Sequence, residues 1–184
     1  MTGRAEQFER TAGRDFELVR LELVRGRVRA VMGRDGAHAT IMSRLTGQCL
    51  LSRPELVLYP GRGLRTEAGG LGRTRPAGVL APADAFVGDG DWSDAARVLM
   101  TVEITSRDEE ADALLRVEKR DGYAEAGISV HLLIDRDARA VMVHVAPQDG
   151  QYRQIATHSF GATVTLPDPV RITLDTTKLT DFAD

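Results

Sequence analysis

Apolar and polar positions recur along this chain with two periods, and the clearest unit they mark runs over residues 98–135. An apolar run, Val98-Leu99-Met100-Thr101-Val102-Glu103-Ile104, is followed by a polar turn, Thr105-Ser106-Arg107-Asp108. A helical segment carrying Glu118-Lys119 and Tyr123-Ala124-Glu125-Ala126-Gly127 comes next, then a second apolar run over 130–134 that ends at Asp135. Two short runs of this kind around a helical pattern predict a strand–helix–strand unit with parallel strands. Upstream, residues 16–32 hold two apolar stretches around Arg25-Gly26-Arg27, which predicts a β-hairpin turning at Gly26 with Glu22 in its first strand. Residues 38–52 place Ile41, Met42, Leu45 and Cys49 on one helical face, and Pro54 ends the helix. Short strands are expected over 56–59 and 77–81. Between them lies a Gly- and Arg-rich loop, 61–75, with Arg62, Arg65, Arg73 and Arg75, which reads as a solvated hairpin in preference to a flexible basic loop touching phosphates, since its charges show no clustered pattern. An acidic loop over 82–94 holds Trp92. After Asp135, turns at Arg136-Asp137 and Asp149-Gly150 lead into strands over 141–145 and 152–157, and alternation continues through Val164 and Ile172 to Leu174. The sum is an α/β fold: a mixed β-sheet flanked by helices, with an N-terminal hairpin and a C-terminal antiparallel meander. Residues 1–15 read as a polar arm and 16–184 as one domain.

Composition narrows the function classes. The 184 residues are 42% hydrophobic and 28% charged, ordinary for a globular protein with a core of its own. A formal net charge of -3 argues against a polycationic nucleic-acid binder, although it leaves room for a local basic patch. A single cysteine, Cys49, excludes an internal disulfide and a Cys-based zinc cluster, and its helical position reads as a small core residue. No apolar run approaches transmembrane length and no signal-peptide core opens the chain, so a cytoplasmic location without membrane association is expected.

The one discordant residue in an otherwise apolar strand is Glu103. A buried carboxylate is costly unless a cation, a metal or several donors stand beside it, so Glu103 is either a solvent-facing strand end or the start of a site.

The run Val102-Glu103-Ile104-Thr105-Ser106, then Glu118-Lys119, then Tyr123-Ala124-Glu125-Ala126-Gly127-Ile128 and Leu132-Leu133-Ile134-Asp135, resembles the Uma-type restriction-endonuclease family of the PD-(D/E)XK nuclease superfamily. The likeness extends upstream through Arg75-Pro76-Ala77-Gly78-Val79-Leu80-Ala81-Pro82, His38 and the Glu22 hairpin, and downstream to Leu166-Pro167-Asp168-Pro169. It implies a metal-dependent phosphodiester hydrolase acting on DNA. Carboxylates would hold Mg²⁺ or Mn²⁺, and a lysine would orient the attacking water. On that resemblance Glu103 matches the acidic residue of the second motif and Glu22 an N-terminal glutamate able to join the metal shell. Thr105 stands where the superfamily has lysine, a role that passes to Lys119 on the following helix. His38 matches a histidine of less defined role. A homodimer would follow nuclease precedent.

Two positions depart from that pattern. Ala77 stands where the family's Pro-Asp motif places its central metal ligand, and Leu115 stands one helical turn before Lys119, where an aspartate is common. Asp84 is a poor substitute, because seven positions along a strand is an odd offset and about 23 Å of travel. Removing a hard-ligand carboxylate should weaken a Mg²⁺ site sharply. Three functions therefore stand open: an attenuated nuclease, a family member recruited to small-molecule acid–base chemistry by Glu103, Lys119 and Glu22, and a non-catalytic binding protein.

Overall fold

The computed structural model describes residues 19–32, 35–66, 72–105 and 109–182. The expected polar arm over 1–15 lies outside them. Among the described residues no helix is long and apolar enough to cross a membrane.

The hairpin forms as expected from β1 (Val19–Val24) and β2 (Arg27–Met32). Arg25 and Gly26 both take positive φ, the two-residue turn whose twist matches the strands it joins. The first helix, α1 (Gly36–Ser52), starts two residues before the expected His38, because Asp35 caps it by accepting from the His38 N–H at 2.7 Å. Its buried face is His38, Ile41, Met42, Leu45 and Cys49, and Pro54 follows its end. Burial pushes the Cys49 thiol up to about 11, so it is a core residue with no thiolate at neutral pH.

The remaining elements are β3 (Leu56–Pro60), β4 (Gly63–Arg65), β5 (Arg73–Thr74), β6 (Gly78–Pro82), β7 (Trp92–Asp94), β8 (Met100–Ile104), α2 (Glu109–Glu125), β9 (Val130–Asp135), β10 (Ala140–Gln148), β11 (Gln151–Ser159), β12 (Thr163–Thr165), β13 (Thr173–Asp175) and a closing 3₁₀ turn (Thr177–Phe182). The predicted strand–helix–strand unit is β8–α2–β9, with β8 and β9 parallel. The meander is β9–β10–β11, antiparallel throughout.

The strands divide into more than one sheet. A six-stranded mixed sheet has the order β11-β10-β9-β8-β6-β3, a five-stranded sheet the order β2-β1-β5-β4-β7, and β12 and β13 pair alone. The Arg-rich loop thus contains two short strands, and the acidic loop contains β7, which pairs in parallel with β4. Strands of two or three residues are too short for an alternation to stand out in sequence.

Each face of the large sheet has its own cover. Ile41, Met42, Leu45 and Cys49 of α1, with Val164, Ile172, Leu174 and Leu179 from the C-terminal segment, pack on the face made by Leu80, Met100, Val102, Leu132 and Val141. On the opposite face Tyr123, Ala124 and Ile128 pack with Val79, Tyr152 and, from the smaller sheet, Leu64. The smaller sheet is tied to α2 by Arg29, which donates to both oxygens of Glu118 at 2.9 and 3.1 Å, and by Arg25 with Glu125 at 2.5 Å.

Candidate functional site

Period-two alternation along β8 puts Met100, Val102 and Ile104 on the α1 face and turns Thr101 and Glu103 toward α2. Lys119, in the middle of α2, meets Glu103 there. Its Nζ lies 2.6 Å from Glu103 Oε1 and 3.0 Å from Glu22 Oε2, which arrives from β1 of the other sheet. The structure therefore gathers three of the four predicted site residues at one point, from three elements and two sheets.

The point is nearly dry. Glu22 is 3% exposed and Lys119 5%. Glu22 Oε1 accepts the Arg75 backbone N–H at 3.0 Å, whereas Oε2 has the ammonium beside it but no aligned hydrogen-bond donor. Glu103 Oε1 also accepts from the Tyr123 hydroxyl at 2.6 Å. Tyr123, buried where α2 packs on the sheet, thus holds the carboxylate as well.

The electrostatics follow from this packing. Burial raises the Glu22 carboxyl above its ordinary 4.5. Lys119 pulls it down and the charge of Glu103 pushes it up again. For Lys119, burial alone would favour losing the proton, but the charges of Glu103 and Glu22 beside it outweigh burial and hold the amine above its ordinary 10.5. Burial, helped by the two carboxylates, lifts the Tyr123 hydroxyl well above 10, so it stays a donor. The centre is a protonated lysine held between a carboxylate and a second carboxyl that burial makes reluctant to ionise. Replacing Tyr123 by Phe removes a hydrogen bond to a charged group; we expect a loss of about 1.5–3 kcal/mol in urea unfolding with the fold retained.

The other predicted positions fall elsewhere or contribute no carboxylate. His38 is buried in the first turn of α1 beside the capping Asp35, whose second oxygen takes Arg136 at 2.8 Å. Thr105 is buried and accepts the Arg136 backbone N–H at 2.8 Å. Asp84 pairs with Arg97 at 2.7 Å on an exposed turn, so it does not serve the triad. Ala77 lies just before β6, 2% exposed. Its methyl packs in the core on the α1 face of the sheet, so it brings nothing to the carboxylate side. Leu115 is likewise buried on α2.

A divalent metal finds a poor donor set in these residues. Two carboxylates are present, one of their oxygens is already held by Lys119 and Tyr123, and an ammonium stands between them where a dication would need more negative oxygen. No group of three His, Cys, Asp or Glu side chains that could hold a metal occurs among the described residues.

Two buried histidines were not singled out from the sequence. His131 and His144 face each other across β9 and β10, ring centres 5.1 Å apart, between Tyr123 at 5.3 Å and Tyr152. His131 Nδ1 meets Thr101 Oγ1 at 3.1 Å, and His144 Nδ1 donates to the His131 carbonyl at 3.3 Å. Burial, then the neighbouring His144 and the cations Lys119 and Arg120, holds His131 well below 6.5. Burial lowers His144 too. The signal that could have found them is the turn after Asp135: once it is placed, it puts residue 131 opposite 144 on the same face.

A family model described as "Putative restriction endonuclease", Uma2, matches residues 5–177. The crystal structure of "a putative nuclease belonging to DUF820" from Anabaena variabilis superposes with a TM-score of 0.71 at 17% sequence identity, covering 89% of this chain and 91% of that one. That likeness shows a shared fold, the restriction-endonuclease-like α/β architecture. No curated protein matches the chain. The family match runs through every element that supplies Glu22, Glu103 and Lys119, and the chain belongs to the Uma2 family.

Proposed function

We propose that this protein is a phosphodiester hydrolase of the nuclease type whose cleavage of DNA is attenuated, because Ala77 leaves its site one carboxylate short. The observation that carries this reading is the seating of Lys119 between Glu22 and Glu103, at 3.0 and 2.6 Å, with only two carboxylates beside it. In an acidic site able to attract Mg²⁺ or Mn²⁺, a third carboxylate would outweigh the ammonium. With two, the cluster carries one net negative charge when all three groups are ionised. In this reading Lys119 is the group that meets a scissile phosphate, Glu103 and Tyr123 fix its position, and Glu22 balances its charge.

The test is calorimetric titration with Mn²⁺ and Mg²⁺, together with plasmid nicking, on the chain and on Ala77→Asp. We expect Ala77→Asp to bind metal at least about 10–100-fold more tightly, the range seen when even outer partners of a metal are lost, and to nick DNA in a metal-dependent way. Adding Lys119→Ala should then abolish the nicking. Equal metal binding and nicking by the unaltered chain would show that Ala77 is not limiting. If neither protein binds metal nor cuts, the nuclease reading falls. The dry Glu–Lys pair then points to acid–base chemistry on an organic ligand, for which Glu22, reluctant to ionise, is the suited acid.

A further inference from the structure

The outer surface of the five-stranded sheet carries a second arrangement that the triad does not use. Alternation turns Glu22, Leu64, Thr74 and Ser93 inward, all buried. It leaves Arg65, Arg73, Arg75 and Trp92 on the other face, the two arginines Arg65 and Arg73 exposed. Arg65 and Arg73 stand directly opposite each other in the β4–β5 pair. Like charges at that position repel and destabilise a sheet. Neither has a carboxylate partner among the described residues. Asp94, opposite Arg65 on the far side, accepts instead from the Ala96 N–H at 2.8 Å.

Trp92 holds this group together. Its cross-strand partner is Gly63. A Cβ on Gly63 would lie 2.8 Å from the indole Cε3 and 2.5 Å from the Asp91 carbonyl oxygen, so only glycine lets the ring lie across the sheet. The ring thereby reaches two strands over and stacks with the Arg75 guanidinium at 4.5 Å and, more loosely, with Arg73 at 5.9 Å. Stacking holds the planar forks in place, and Arg75 also donates to the Gly61 carbonyl at 3.4 Å. Arg73 and Arg75 are about 6.6 Å apart along β5, with Arg65 beside them.

We propose that this face, Arg65, Arg73 and Arg75 set around Trp92, binds the phosphate backbone of a nucleic acid, an inference that rests on the nuclease reading above. An arginine fork matches phosphate geometry, and an anionic partner would relieve the Arg65–Arg73 opposition. The chain's net charge of -3 makes this patch a local exception. It is also coupled to the triad, since the Arg75 backbone N–H is the one that holds Glu22. A strand lying here would sit on the reverse side of the sheet from Lys119, which makes the surface an anchor for nucleic acid and not part of the cleavage site.

The test follows a fluorescein-labelled DNA duplex by anisotropy at several salt concentrations, while Trp92, the sole tryptophan, reports from the surface itself. We expect saturable binding at low salt with a change in Trp92 emission. Arg65→Ala and Arg73→Ala should each weaken binding and lower the slope of log affinity against log salt by about 1. Both side chains are exposed, so both variants should fold, and their urea midpoints would confirm it. Parental affinity and slope in both variants would overturn the proposal, as would unchanged Trp92 emission in the DNA-bound protein. Binding of polyglutamate but not DNA would also overturn it and assign the face to an acidic protein. The two readings fail separately. Ala77→Asp that cuts while Arg65→Ala and Arg73→Ala bind normally removes only this surface. Ala77→Asp that neither binds metal nor cuts, with binding weakened in the arginine variants, removes only the nuclease.

Discussion

Replacing Lys119 with methionine is expected to destabilise the protein by about 3–5 kcal/mol at pH 7.5, the cost of leaving buried charge without its partner. The size follows from where the ammonium sits. It is 5% exposed, it is the cation beside Glu22 Oε2, and it touches Glu103 as well. Methionine fills nearly the same volume, so little of the loss comes from packing. Glu22 is then left facing Glu103 with a single backbone donor. It can escape the penalty by taking a proton, and its carboxyl already sits above the ordinary value. The difference from the parent should therefore shrink as pH is lowered toward 5. Adding Glu22→Leu to Lys119→Met should recover part of the loss, because removing both members of a buried pair is often nearly neutral. Urea unfolding of the parent, the single variant and the double variant measures all three. A loss under about 1 kcal/mol in the single variant would mean that the pair is solvated and the triad is not a closed centre.

The second large effect is a loss of stability in mild acid. His131 is held well below 6.5 by burial, then by His144, Lys119 and Arg120; His144 is held below 6.5 by burial and Arg120, against its hydrogen bonds to the His131 and Met142 backbone and the charge of Asp121. The folded state keeps both neutral where the unfolded chain binds protons. Stability is thus fully present above pH 6.5 and is lost as pH falls below it, at up to about 1.4 kcal/mol per pH unit for each histidine that stays neutral. Glu22 works in the opposite direction: its raised carboxyl takes a proton in the folded state before it does in the unfolded one, so it adds stability as pH falls through its folded value toward 4.5. Asp35, held below 3.8 despite partial burial by the His38 N–H and by Arg136, adds its own loss only in stronger acid. Between pH 6.5 and 5.5 the histidines dominate. The urea midpoint should fall over that interval, and His144→Gln, which cannot titrate, should flatten the fall. A midpoint that does not move would show that the pair is hydrated.

Much of this arrangement could be read from the residues alone. The apolar runs on either side of α2, the hairpin turn at Arg25-Gly26 and the α1 face all carry a strong period, and each formed where it was expected. Glu103 was conspicuous as a carboxylate inside an apolar strand, and it is the residue that meets Lys119. Three things were hidden, each for a physical reason. The five-stranded sheet depends on β4, β5 and β7, which are too short to show a period. Its outer face, with Trp92 spread over Gly63, needs a cross-strand register that local pattern does not supply. The histidine pair depends on the turn after Asp135, because two histidines thirteen residues apart meet only when that register is known. His38, by contrast, was visible but is tied to a helix cap, whose signal is the preceding Asp35.

The delivery of Glu22 by a different sheet from the one that holds Glu103 has a consequence for how the molecule opens. The contact between Glu22 and Lys119 spans more than half of the chain, so it can close only after both sheets have formed and docked, and it serves as a seal on completed folding. Arg29 with Glu118 and Arg25 with Glu125 flank that seal nearer the solvent, where added salt weakens them while the buried pair is largely spared. Swinging the hairpin away from α2 is therefore the motion by which water would enter, and high ionic strength should ease its first stage. Amide exchange in β1 and β2 that quickens with salt, ahead of exchange in β8 and β9, would be the trace of a protein that unbuttons from its N-terminal edge.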